Sequence, residues 1–85
     1  MTTVDPVLAE LAACVLVPVV VLQEAGDAGL LAGALVAGGL PVAEVTFRTA
    51  AAPEAIRVIA DRGDVLVGAG TVLTPGQVDQ AVAAG

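Results

Sequence analysis

The 85-residue sequence has no lysine, no histidine, no tryptophan and no tyrosine, and it contains one phenylalanine and one cysteine. Three arginines against nine acidic residues give a net charge of −6, so the basic patch with which proteins bind nucleic acid is missing. Without histidine, a zinc site or a His-based catalytic triad is excluded within these residues. Because Cys14 cannot form an internal disulfide, a reducing compartment is favoured, and we expect a cytoplasmic protein.

The sequence is 58% hydrophobic, but it lacks a membrane-spanning run. The uncharged stretch between Asp27 and Glu44 is interrupted by Pro41 and is shorter than the about 20 apolar residues that a spanning helix needs. Gly29 and Gly33 form a GxxxG pattern, which we interpret as tight helix packing in a soluble protein. The N-terminus has no basic segment and does not resemble a signal peptide. We therefore expect no membrane association.

Helix and strand signals alternate along the chain. Asp5-Pro6 predicts a helix start, with Asp5 as the N-cap, and the helix should end near Ala13. Apolar runs predict buried strands over residues 15–22, 42–47 and 65–67, with a local irregularity at Pro18. Helices are predicted over residues 26–37, from Pro53 to Gly63, and from a capping box at Thr74-Pro75-Gly76-Gln77 to about Ala84.

The order is thus one helix followed by three strand–helix units, which predicts an α/β fold with a parallel sheet. The spacing of about 25 residues suits a β/α barrel or a doubly wound sheet. Three parallel strands cannot close, and their edges would remain unpaired. Since a (β/α)8 TIM barrel typically has about 250 residues, we interpret residues 1–85 as the incomplete N-terminal portion of one barrel domain.

The segment Glu44-Val45-Thr46-Phe47-Arg48-Thr49 carries polar side chains in apolar surroundings. Alternation along a strand places Glu44, Thr46 and Arg48 on one face. Glu44 and Arg48 lie roughly 13 Å apart along an extended strand, which is too far for a direct ion pair. Each is therefore either paired with another element in a structural network or free to contact a ligand. Thr46 is interpreted as a packed strand residue.

The segment Gly68-Ala69-Gly70-Thr71 is predicted as a turn that follows the third strand. Ligand sites of parallel α/β folds form at the C-terminal ends of the strands, so this turn and Arg48 should lie on one rim. The pattern does not extend to the dinucleotide fingerprint, because residue 73 is leucine, and there is no lysine for a P-loop. Alternatively, the glycines only allow tight strand–turn–helix packing.

Four blocks of the sequence resemble the KDPG/KHG aldolase family, the 2-keto-3-deoxy-6-phosphogluconate and 4-hydroxy-2-oxoglutarate aldolases. The blocks are Val17-Pro18-Val19-Val20, Ala34-Leu35-Val36-Ala37-Gly38-Gly39, the segment from Glu44 to Thr49, and Gly68-Ala69-Gly70-Thr71-Val72-Leu73. They occur in the family's order over nearly the whole chain. The Val-Pro-Val first strand is a feature of the family, which accounts for Pro18.

The resemblance implies a class I aldolase on a (β/α)8 barrel that is usually a homotrimer and needs no metal or other cofactor. In the family a lysine forms a Schiff base with pyruvate, and a glutamate moves protons at the adjacent carbon. The resemblance assigns the proton-transferring role to Glu44, a substrate contact to Arg48 and the pyruvate-carboxylate contact to Thr71. The implied substrates are keto acids: pyruvate, KDPG and KHG.

The sequence departs from the family at one decisive point, because it contains no lysine that could form the Schiff base. We therefore expect the isolated chain to be inactive. Two alternatives to an aldolase segment remain open. One is a non-catalytic module, a truncated barrel that assembles through its open edges. The other is a small doubly wound binding domain, although the sequence has no phosphate loop for it.

Overall fold

A parallel sheet is the centre of the computed structural model, which describes residues 5–85. Its strands β1 (Val19–Val20), β2 (Val42–Thr46) and β3 (Leu66–Gly70) lie side by side in chain order. Glu44 of β2 lies between Val19 of β1 and Gly68 of β3. Since consecutive parallel strands need a crossover connection, the helices between them lie against the sheet.

The helices are α1 (Asp5–Cys14), α2 (Ala28–Ala37), α3 (Ala52–Arg62) and α4 (Pro75–Ala84), and a short 3-10 turn (Ala25–Asp27) precedes α2. Pro53 lies in the first turn of α3, where its missing N–H has no helical partner to lose. Gly63 ends α3 in the left-handed conformation, with φ 76°. The alternation of helices and parallel strands confirms the predicted α/β class.

The core lies between the sheet and helices α2 and α3. Val45 of β2 is fully buried there with Ile56 and Ile59 of α3, and Phe47 packs against the same cluster. Glu44 and Thr46 alternate with Val45 and therefore extend from the opposite face of β2. Neighbours on both sides bury most of β2, and Glu44 alone of its five residues is only half-buried.

The first predicted strand, residues 15–22, is wrong in its extent. Only Val19 and Val20 pair with β2, while Val15 has φ 69° and turns the chain out of α1. The expected irregularity at Pro18 is present for a physical reason. Proline cannot donate to the ladder, although the Pro18 carbonyl still accepts a hydrogen bond from the Glu44 N–H at 2.9 Å.

The third predicted strand ended too early, and the predicted turn is part of β3. Gly68, Ala69 and Gly70 pair in register with residues 44–46 of β2, so the strand continues to Gly70 and the turn begins at Thr71. Glycine has a low strand propensity, so the segment Gly68-Ala69-Gly70-Thr71 by itself predicts a turn. Ladder pairing with β2 outweighs that local preference.

Helix boundaries agree with the sequence patterns to within one or two residues. Thr74 is the N-cap of α4, since its hydroxyl accepts a hydrogen bond from the Gln77 N–H at 3.1 Å. The return bond of the predicted capping box is displaced, because the Gln77 side chain accepts from Leu73 N–H, at 2.7 Å, instead of from Thr74. Residues 1–4 lie outside the described part of the chain. The side chain of Asp5, which was predicted as the N-cap, is not described either. Over the described helices, none is long and apolar enough to cross a membrane.

Candidate active site

Glu44 extends its side chain along the sheet towards the C-terminal edge. Its backbone is in register with Gly68, but its carboxylate lies over Gly70, which is two residues further along β3. This lean carries the acid towards the strand ends, the direction in which strand side chains commonly lean. The carboxylate therefore reaches the residue that directly precedes Thr71.

The Glu44 carboxylate has no ion-pair partner within residues 5–85. The ion pairs present there join Arg57 to Glu54 and Asp61, and Arg62 to Asp64, all at or near the exposed side of α3. Arg48 is exposed and takes part in none of them. The structural ion-pair network that we considered for Glu44 and Arg48 is thus not formed by the described residues. Both side chains are available for contacts with a ligand or with further protein.

An open cavity of about 350 Å³ adjoins Glu44 on the sheet face opposite the helical core. Val7 and Leu11 of α1 lie on one side of it, and Val42 and Leu66 of the strands on the other. The lining is mostly apolar, and Glu44 is the one charged residue among the described residues that form it. Burial of a carboxylate in such a place is costly unless the group is used or paired.

Arg48 borders a different cavity, of about 400 Å³, between the loop that follows β2 and helix α4. Gln77 and Gln80 of α4 line the same cavity. The structure therefore brings the backbones of the candidate residues to one edge of the sheet, but Arg48 and Glu44 line different cavities. A strong donor and two amides can bind an anion at this second position.

Hydrogen bonds to backbone carbonyls connect the loops at this edge. The Phe47 N–H donates to the Gly70 carbonyl at 2.8 Å, which joins the residue before Arg48 to the residue before Thr71. The Thr49 hydroxyl donates to the Leu22 carbonyl at 2.6 Å and ties the same loop to the end of β1. These bonds hold the ends of all three strands together, a contribution of Thr49 that sequence reasoning missed.

Thr71 has φ 54°, which is unusual for a β-branched residue and costs about 1–3 kcal/mol. Residues in such conformations cluster at functional sites, because the surrounding structure must hold them there. Thr71 is half-buried and directly follows the glycine beneath the Glu44 carboxylate. No sequence signal indicated this conformation, since glycine or asparagine is the usual residue at positive φ.

Thr46 is 1% exposed, and its hydroxyl has no hydrogen-bond partner among the described residues. Its burial agrees with the interpretation of Thr46 as a packed strand residue. The unpaired hydroxyl was not foreseen, because strand periodicity places a side chain on a face without revealing its partners.

Residues 7–85 match the family model described as KDPG and KHG aldolase. A 2-dehydro-3-deoxy-phosphogluconate aldolase of Treponema pallidum is 56% identical over 70 residues, which are 81% of this chain and 33% of that protein. The crystal structure of the 2-keto-3-deoxy-6-phosphogluconate aldolase of Zymomonas mobilis matches at 51% identity and TM-score 0.76, over 81% of this chain and 34% of that one.

A KDPG aldolase of Legionella pneumophila, crystallised with pyruvate captured as a covalent carbinolamine intermediate, is also similar. It is 51% identical, with TM-score 0.74, over 80% of this chain and 34% of that one. The chain thus spans about a third of the length of these relatives. The likenesses confirm both the suspected family and the assignment of the three βα units to part of a TIM barrel.

Proposed function

Because the chain belongs to the KDPG and KHG aldolase family, we propose that it provides the proton-transferring and carboxylate-binding part of a class I aldolase site. The reaction is cleavage of 2-keto-3-deoxy-6-phosphogluconate to pyruvate and glyceraldehyde 3-phosphate, or of 4-hydroxy-2-oxoglutarate to pyruvate and glyoxylate. The captured pyruvate adduct of the similar Legionella aldolase supports a covalent route. The pathway implied by the first substrate is the Entner-Doudoroff route of carbohydrate metabolism.

The lysine that such a route requires must come from outside these 85 residues, which contain none. Its amine condenses with the keto group and releases water, and the resulting iminium accepts the electron pair when the bond between the methylene carbon and the hydroxyl-bearing carbon breaks. The hydroxyl gives its proton to a base as it becomes the aldehyde carbonyl, the aldehyde leaves, and an enamine remains. Protonation of the enamine carbon gives the methyl group of pyruvate, and water then releases the product.

Glu44 is proposed to move the proton at the enamine carbon. One observation carries this role: the half-buried Glu44 extends its carboxylate over Gly70, towards the C-terminal strand ends, without a cationic partner among the described residues. A carboxylate placed in this way is accessible to a reacting carbon and is not committed to a structural ion pair. The same group removes the proton in the reverse direction, when pyruvate forms the enamine.

Arg48 and Thr71 are proposed to bind the anionic substrate. Thr71 lies directly after the glycine beneath the Glu44 carboxylate, so its hydroxyl suits the pyruvate carboxylate. Arg48 is exposed at the same edge beside the second cavity, where its guanidinium suits a carboxylate or phosphate further along the substrate. The substrates are small anionic keto acids, and neither a metal nor an organic cofactor enters this chemistry.

The test uses a barrel chimera, in which residues 7–85 replace the corresponding segment of the Zymomonas mobilis aldolase. Exchange of the methyl protons of pyruvate with deuterium, followed by NMR at saturating pyruvate, reports proton transfer directly. Glu44→Gln retains the shape of the side chain and removes its titrating group. Exchange should fall by about 10²–10⁴-fold, which is the usual contribution of a general base.

The binding residues should give a different kinetic signature. Arg48→Ala should raise KM for the anionic keto acid with little change in kcat, because its charge contacts ground and transition states alike. Thr71→Val should weaken binding by about 1–3 kcal/mol, through the loss of a hydrogen bond to a charged group. Arg57→Ala is a matched control, since Arg57 pairs with Glu54 on the exposed side of α3.

An inactive but folded chimera, or near-unchanged exchange in Glu44→Gln, would return Glu44 to a structural role. The second candidate function, a non-catalytic module that assembles through its open edges, would then be preferred. It is favoured by large apolar side chains that are exposed in the chain by itself, such as Leu16, Val19 and Leu73. In the aldolase proposal, the rest of the barrel and neighbouring subunits of a homotrimer cover these side chains.

A further inference from the structure

Gly70 occupies the one position of β3 where a side chain would collide with Glu44. A Cβ built on Gly70 would lie 2.6 Å from Cδ and 2.9 Å from Cγ of Glu44, and it would overlap the Oε2 atom. Real Cβ atoms essentially never approach other heavy atoms this closely, so one of the groups must move. The backbone of Gly70 is not at positive φ, and alanine can therefore adopt the same strand conformation.

Gly68 is the matched contrast on the same strand and the same sheet face. A Cβ on Gly68 would have no atom of the described residues within 4 Å, although Gly68 is in direct register with Glu44. The two glycines thus differ in whether the Glu44 side chain occupies the space next to their Cα atoms. The Glu44 side chain leans past Gly68 and ends over Gly70, so only the second glycine provides the space that the acid occupies.

We propose that Gly70 is a positioning residue, whose missing side chain leaves the space in which the Glu44 carboxylate lies. The catalytic consequence of this inference rests on the proposed function of Glu44. Glycine at this position allows the acid to lie flat against β3, next to Thr71 and at the level of the strand ends. Any side chain at residue 70 pushes the carboxylate off the sheet or back towards the middle of β2.

In Gly70→Ala we expect the Glu44 side chain to move and the backbone of residue 70 to stay in place, because moving the side chain costs less free energy. The colliding atoms belong to the end of a flexible side chain, whereas Gly70 is fixed by its pairing with Thr46 and by the hydrogen bond from Phe47. Gly70→Ala should therefore leave the fold intact and move the carboxylate by about one carbon–carbon bond length or more. A misplacement of about 1 Å in a catalytic group can cost about 10²-fold in rate.

The experiment compares four variants of the barrel chimera in the pyruvate exchange assay. Gly70→Ala should lower exchange at saturating pyruvate by about 10²-fold, with a smaller change in KM. Gly68→Ala should remain within about threefold of the unmodified chimera. In the Glu44→Gln background, where the titrating group is already gone, adding Gly70→Ala should cost no more than about threefold.

That last comparison separates positioning from a general structural defect, because a defect would lower exchange by the same factor in both backgrounds. Equal losses in both backgrounds, or equal losses for Gly70→Ala and Gly68→Ala, would overturn the inference. A crystal structure of the Gly70→Ala chimera gives a test that does not depend on activity. A displaced Glu44 carboxylate would support the inference even if the proposed function fails, and an unmoved one would refute it even if the chimera is active.

Discussion

Single side chains determine the chemistry that this segment can provide, and two of them are held at a cost in free energy. Thr71 stays in a left-handed conformation, and Thr46 keeps a buried hydroxyl without a partner among the described residues. Thr46 is the last residue of β2, and Thr71 directly follows β3, whose last residue lies beneath the Glu44 carboxylate. Strained backbone conformations and unpaired buried polar groups persist where the surrounding fold enforces them, and they are concentrated at sites of function.

Thr46→Val should raise the free energy of unfolding of the barrel chimera by about 1 kcal/mol. Valine has nearly the shape of threonine, and the substitution removes a buried hydroxyl whose desolvation is uncompensated, a penalty of about 1–3 kcal/mol. Urea unfolding followed by circular dichroism measures the change. A loss of stability instead would show that the remainder of the barrel provides the missing hydrogen bond. A slower exchange of the pyruvate methyl protons in the same variant would show that the substrate provides this hydrogen bond.

Packing between elements explains the stretch of α2 in which two glycines lie near α3. A Cβ on Gly33 would be 3.9 Å from Nη1 of Arg62, and one on Gly29 would be 3.9 Å from Cγ1 of Val58. These are ordinary van der Waals distances, so the GxxxG pattern lies near α3, but the packing is not so tight that it requires glycine, contrary to our interpretation of the pattern. The helices would pack equally well around alanine.

Gly33→Ala should accordingly stabilise the chimera by about 0.5–1 kcal/mol, because alanine loses less backbone entropy than glycine in a helix interior. Gly63→Ala is the control, since Gly63 ends α3 at φ 76° and alanine there is strained. It should destabilise by about 1 kcal/mol. The measurement is the urea midpoint of each variant. A lower urea midpoint for Gly33→Ala would mean that α2 approaches another part of the barrel more closely than it approaches α3.

At the end of α3, Arg62 forms an ion pair with Asp64 and also contacts α2. The hydrogen bonds and charge of Arg62 hold the pKa of Asp64 below its ordinary value, and Arg62 reaches the Gly29 carbonyl of α2 at 3.4 Å. A depressed carboxyl pKa contributes stability that is present above its unfolded-state pKa and is lost as the pH falls through the folded-state pKa. Asp64→Asn should therefore lower stability at pH 7 and make no difference at a pH below the folded-state pKa of Asp64, where the carboxyl is protonated in both states.

Unfolding of both proteins at several pH values checks this prediction. The two stability curves should converge as the medium becomes acidic. Curves that stay parallel from neutral to acidic pH would show that Asp64 contributes through packing and not through its charge. Because the pair is exposed, the difference at neutral pH should shrink when salt is added.

The molecule as a whole has two open sheet edges, at β1 and at β3, and the described residues cover neither with a further strand. Large apolar side chains are exposed in this chain, including those of Leu16, Val17 and Leu73. Unpaired edges of this kind favour association with other chains. Burial in a chain of this size is also too small to give a large stability margin.

The 85-residue chain expressed by itself should therefore associate. Sedimentation velocity over a concentration series should show species larger than the monomer, with the average size increasing with concentration. Residues 7–85 within the barrel chimera are the control, since the added strands pair with both edges. A monodisperse monomer that unfolds cooperatively in calorimetry would contradict the prediction.

The same chain should form no stoichiometric covalent adduct with pyruvate. Borohydride reduction followed by mass spectrometry detects a trapped Schiff base as a gain of mass. Without a lysine among the 85 residues, only a slow side reaction at the N-terminal amine is expected. The barrel chimera, which receives a lysine from its partner sequence, should be trapped. An adduct on a side chain of the isolated segment would require another nucleophile.

The sequence by itself determined the parts of this protein that depend on local chemistry and periodicity. Apolar runs separated by helical patterns predicted the α/β class, and Thr74, Pro53 and Gly63 marked helix ends because capping depends on neighbouring residues. Four sequence blocks, one of them the segment from Glu44 to Thr49, indicated the family, which the match over residues 7–85 confirms. The site roles of Glu44, Arg48 and Thr71 remain proposals.

Tertiary structure alone decided which groups meet across strands. Register brings Glu44 to Gly68, and the lean of its side chain carries the acid to Gly70, neither of which is encoded in the spacing along one strand. Pairing with β2 also extended β3 through the glycines and limited β1 to Val19–Val20. These outcomes depend on contacts between residues distant in sequence, whose energies exceed the local preferences of glycine and of the strand around Pro18.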